Sequence, residues 1–171
     1  MQQQNTNKLG TATKVPSKTS KTNRKVKSEE VKDLLTTSYN GKLIIINLEI
    51  YNAEMFISVN QDNEDLVLAL IESGIVPSLE SPNLQMYMNP FISAKVTTLG
   101  STAIYENGVI GIKLNHFYFD DNDNMATLVH ELSHAAMYTF DRIGMPHNSD
   151  TDEAYSYLIG FLTKKFFENM R

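Results

Sequence analysis

Residues 127–136 read Thr-Leu-Val-His-Glu-Leu-Ser-His-Ala-Ala, and that order of side chains leaves few alternatives to a helix with an inward face. The acidic loop from Asp120 to Asn124 can cap the start of the helix and favour its positive end. Gly144 and Pro146 stop it after about Ile143. Leu128, Val129, Leu132, Ala135, Ala136, Met137 and Phe140 lie all around it, so the pattern predicts a central, buried helix.

Two histidines four apart on a helix are separated by about 40° around the axis and one turn along it, so His130 and His134 can aim their ring nitrogens at one ion. Glu131 is rotated by about 100° from His130 and can reach a water on such an ion without ligating the ion itself. The spacing therefore separates ligand from base. The plainer alternative makes both histidines core residues bonded to backbone or carboxylate. Against it, two neutral imidazoles beside a Glu on one apolar helix are costly to bury without a compensating ion.

There is no cysteine, so disulfides and thiolate ligands are excluded and any metal must be held by nitrogen and oxygen donors. Three residues are candidates for a third ligand: Glu153, His147 and Asp150. Glu153 is favoured because a carboxylate borne on a helix is better fixed than a loop side chain, and because antiparallel packing of the last two helices brings it inward once the loop doubles back. Read plainly, Glu153 is a first-turn acid stabilised by the helix dipole. Gly160, two turns further on the same face, would let the helices approach closely.

The rest of the sequence alternates strand and helix signals. Leu43 to Leu48 is a continuous apolar run that reads as a buried strand, and Met55 to Val59 alternates as a second. Asp62 caps a helix through Glu64 to Ser73, ended by Gly74. A polar stretch with Pro77, Pro82 and Pro90 follows. Asn107-Gly108 predicts a hairpin with a type I′ turn, whose second strand puts Ile110, Ile112 and Leu114 on one face and Lys113 on the other. The final helix runs from about Asp152 to Glu168, with Ala154, Leu158, Phe161, Leu162 and Lys165 to Phe166 as its inward stripe. A short helical stretch at Glu29 to Leu35 opens the body.

Charge divides the sequence in two. Residues 1–28 carry seven basic residues (Lys8, Lys14, Lys18, Lys21, Arg24, Lys25 and Lys27) and no acidic one. All 20 acidic residues and the other 8 basic ones fall in the remaining 143, so an arm of +7 precedes a body of −12. An arm so polar cannot bury enough surface to offset its ordering entropy and is expected to be disordered when alone. It is either a solvated tail or a contact for nucleic acid or an acidic protein surface. The expected domains are therefore 1–28 and 29–171. No apolar run approaches the roughly 18 residues of a membrane span, and no secretory h-region is present, so a soluble cytoplasmic protein is expected.

The segments Thr127 to Ala135 and Asp152-Glu153-Ala154-Tyr155-Ser156-Tyr157-Leu158-Ile159-Gly160 resemble the zincin metallopeptidases of the two-His-one-Glu, or gluzincin, kind. More narrowly, they are similar to small bacteriophage-encoded proteins with this zincin-like core. The resemblance covers roughly residues 97–167. It implies a small α+β domain, with a twisted, mostly antiparallel sheet packed on a buried metal-binding helix and a C-terminal helix. It also implies one zinc ion per protein molecule on His130, His134 and Glu153, catalysis by Glu131, and a peptide or protein substrate lying along Val109 to Leu114 as the edge strand. Tyr155, Tyr157 and His147 are candidate donors to an oxyanion. Two other expectations stand beside peptidase activity. One is a non-enzymatic virion component or adaptor with a structural metal. The other is a protease tethered to DNA by its arm, similar in plan to SprT-like repair proteases.

Overall fold

The structure, a computed structural model, describes residues 41–94 and 97–170. The expected basic arm and the helical stretch at Glu29 to Leu35 lie outside the described residues. Four strands, β1 (Lys42–Leu48), β2 (Ala53–Val59), β3 (Gly100–Ile104) and β4 (Ile110–Leu114), form one sheet in the order β1-β2-β4-β3. The helices are α1 (Asn63–Glu72), α2 (Asn83–Ile92), α3 (Asn122–Arg142) and α4 (Asp152–Met170). The class is α+β. Two of the three strand pairings are antiparallel, and β2 pairs β4 in parallel from Met55↔Ile110 to Val59↔Leu114.

The β4 strand lies between β2 and β3, so the edges of the sheet are β1 and, on this side, β3. This corrects the expectation that Val109 to Leu114 forms the edge: the hairpin returns inward and leaves its first strand outside. The hairpin turn also differs from type I′. Only Gly108 has positive φ (81°), Gly108 N–H donates to Tyr105 C=O, and Tyr105 N–H donates to Val109 C=O. That is a three-residue loop with a glycine bulge, which asks for one left-handed residue where type I′ asks for two.

Both faces of the sheet are covered. On one, Ile44, Ile46, Met55, Ile57, Ile110, Ile112 and Leu114 meet α3 and α4. On the other, Phe56, Tyr105 and Val109 meet Leu66 and Leu70 of α1 and Tyr87, Met88 and Phe91 of α2. Double coverage explains why β2 does not alternate: Met55 through Val59 are all buried, because each face of a central strand has an apolar partner. Lys113 faces the α1 side and is buried; its Nζ donates to Asn63 Oδ1 at 2.7 Å.

The helix α2 falls where a proline-rich polar stretch was expected. Pro82 precedes its first residue, where a missing N–H costs nothing, and Pro90 lies in its last turn. Leu84, Tyr87, Met88 and Phe91 recur at helical spacing and turn towards the sheet.

The metal-helix candidate α3 begins at Asp121, whose side chain accepts from the N–H groups of Asp123 and Asn124. It is not buried all round. Leu128, Leu132, Ala135, Ala136 and Phe140 face the sheet, whereas Val129 and Met137 are 43% and 45% exposed. The final helix α4 runs antiparallel to it, with Tyr155 against Phe140 near its start and Phe166 against Phe117 near its end. Tyr155, Leu158, Leu162 and Phe166 form its inward face. Phe161 lies outside that face, and a Cβ built on Gly160 would meet no atom within 4 Å, so Gly160 does not serve a close helix contact. Among the described residues no helix is long and apolar enough to cross a membrane.

Candidate active site

The α3 helix carries His130 and His134 to its outer side, His130 exposed and His134 half-buried. Their Nε2 atoms stand 3.1 Å apart, with the rings perpendicular. Two imidazole nitrogens sharing a tetrahedral ion at 2.0–2.1 Å are about 3.3 Å apart, so the pair fits a zinc-sized ion. Without an ion, the same contact requires one ring to donate its Nε2–H to the other.

Glu131 turns inward. It is buried, and its Oε2 accepts from Thr102 Oγ1 at 2.6 Å, tying α3 to the edge strand. Gly100 makes the space. A Cβ there would stand 2.6 Å from Thr127 Cγ2, 2.8 Å from Glu131 Cγ and 3.0 Å from Glu131 Oε1.

Among the described residues, the β3 strand presents a free backbone edge beside this carboxylate. The bonds Asn115 N–H to Leu99 C=O and Tyr105 N–H to Val109 C=O show that odd-numbered residues face β4. Gly100, Thr102 and Ile104 therefore direct their N–H and C=O groups away from the sheet. Further along the edge is a cleft of about 440 Å³, lined by Ile104, Tyr105, Glu106, Gly108, Tyr138, Asp141 and Arg142. Tyr138 joins the cleft to the histidines, because its ring stacks on His134 at 6.3 Å.

The third-ligand candidates stand outside the pair. Among the described residues, no group of three His, Cys, Asp or Glu side chains is gathered for a metal. Glu153 is exposed in the first turn of α4, 200° around the helix from the inward Tyr155, and makes no hydrogen bond or ion pair among the described residues. His147 packs its ring on Tyr155 at 4.5 Å, and Asp150 is exposed in the loop. The oxyanion candidates are not at the pair either. Tyr155 is spent donating to Met145 C=O at 3.0 Å, and Tyr157 lines a different surface with Ile50 and Phe161.

Sequence reasoning missed Gly100, Thr102 and Tyr138. The spacing of Tyr138, four residues after His134, was a visible signal. Thr102 and Gly100 had none, since their partner on α3 depends on strand register. No family model, curated protein or solved structure matches this protein.

Proposed function

We propose that this protein is a zinc-dependent peptidase in which His130 and His134 hold the ion and Glu131 is the general base. The observation that carries the reading is the convergence of the two Nε2 atoms to 3.1 Å on the turn that also bears a buried carboxylate. His130 and His134 would hold the zinc, which when bound would supply a Lewis acid for the carbonyl and a water of pKa about 7. Glu131 takes a proton from the attacking water and passes it to the leaving amine. In this reading Glu153, which stands apart from the pair in the first turn of α4, would have to turn towards it to be the third protein donor. The outward N–H and C=O groups of Gly100, Thr102 and Ile104 suit an extended peptide added as a fifth strand, with one of its side chains received in the cleft beside Tyr138.

Protein purified without chelators should contain about one zinc per molecule, the occupancy of a single site. Glu131→Gln should keep that zinc and lose cleavage of labelled casein. Turnover retained in the variant excludes Glu131 as the base, and a clearly substoichiometric metal content removes the reading altogether.

A further inference from the structure

We propose that Thr102 is a positioning residue for Glu131, so that the strand receiving the peptide also aims the base. The inference deepens the peptidase reading and rests on it for the role of Glu131.

A row of side chains crosses the sheet on the α3 side: Ile44, Ile57, Ile112 and, at the edge, Thr102. The first three are buried isoleucines, and the row turns polar only where it meets Glu131. The hydroxyl has one proton. The backbone carbonyl oxygen of Glu131 lies 3.2 Å from Oγ1 and Oε2 lies 2.6 Å away, so the shorter, charge-assisted contact takes that proton. No other side chain bonds the Glu131 carboxylate among the described residues. Its burial leaves little solvent to replace the lost partner.

Threonine suits the task because its branched Cβ restricts χ1, which fixes the hydroxyl direction relative to the strand. The backbone groups of the same residue point the opposite way, to the free edge. A peptide paired at Thr102 is thus placed relative to Glu131 through one residue. Gly100 keeps the other side of the carboxylate open, since a Cβ there would press on Oε1.

Thr102→Val keeps the shape and branching and removes the donor; Thr102→Ser keeps the donor. With the zinc-loaded protein and labelled casein, Thr102→Val should lower kcat by about 100-fold, the loss that accompanies a misplacement of about 1 Å, with zinc content unchanged. KM should stay within about twofold, because the lost interaction acts on the chemical step. Thr102→Ser should restore kcat to within about threefold of the parent. Unchanged turnover in Thr102→Val, or equal loss in both variants, overturns the proposal. Wild-type protein that cleaves nothing removes the peptidase reading instead. Crystal structures of the metal-free variants then decide the positioning role: Oε2 of Glu131 displaced by about 1 Å in Thr102→Val alone supports it, and an unmoved carboxylate overturns it.

Discussion

Tyr105 closes the β3–β4 hairpin with its hydroxyl donating to Tyr87 C=O at 2.9 Å and its ring stacked 6.1 Å from Phe56. Burial, with a smaller contribution from Tyr87, pushes its pKa well above the usual 10.0. The sign follows directly. Below pH 10 the phenol is neutral in both the folded and the unfolded state, so it costs nothing there. Above it the unfolded state loses the proton and the folded one keeps it, so stability falls as pH rises through that range. Urea unfolding should show Tyr105→Phe losing about 1 kcal/mol at pH 7, from the missing hydrogen bond, while its stability falls less steeply than the parent's between pH 10 and 11. A parallel decline in both proteins refutes the assignment. At this scale the sequence revealed side chains whose partners are local: His130, Glu131 and His134 share one turn, and their facing follows from helix geometry alone. Thr102 lies 29 residues from Glu131, and nothing short of the strand register reveals that the two meet.

The elements were legible where their ends carry their own chemistry. Asp62 accepts from Asp65 N–H and Asp121 from the first turn of α3, both as cap residues, and Gly74 and Gly144 take the positive φ that follows a helix. Asp121 supports the helix bearing the histidines, so Asp121→Ala should cost about 0.5–2 kcal/mol in chemical denaturation. The loss should be nearly the same with and without zinc, because the cap lies more than two turns from His130. A loss that disappears on adding zinc contradicts this. What was not legible came from weighing prolines too heavily and from tertiary cover. Pro82 and Pro90 masked the apolar period of α2: Pro82 stands at the N-cap, where a helix tolerates it, whereas Pro90 lies inside the helix and lacks the N–H for one intrahelical bond. The exposure of Val129 and Met137 depends on which side of α3 finds the sheet, a choice that composition leaves open when apolar residues lie all round.

At the scale of the molecule, the sheet divides the labour. The α1–α2 side is packed with the aromatic rings of Phe56, Tyr87, Phe91 and Tyr105, most of them meeting edge to face, and carries none of the candidate chemistry. The α3–α4 side holds the histidine pair at its outer margin, beside the edge strand β3. The sequence indicated an α+β domain, but the strand order was hidden, because it depends on where a hairpin docks. That docking has a kinetic side. The β1–β2 and β3–β4 pairs each close over a short loop, whereas Met55 and Ile110 must find each other across more than 50 intervening residues. The entropy of that long closure is lost before the contacts of β4 with β2 compensate for it, so joining the two hairpins is expected to be the slow step of folding. Ile112 touches both neighbouring strands, and Ile112→Val should therefore express most of its lost stability, about 0.5–1.5 kcal/mol, as slower refolding. Faster unfolding at an unchanged refolding rate would place the joining after the barrier. An inserted central strand thus makes the molecule's rate-limiting event the meeting of two ready-made ribbons.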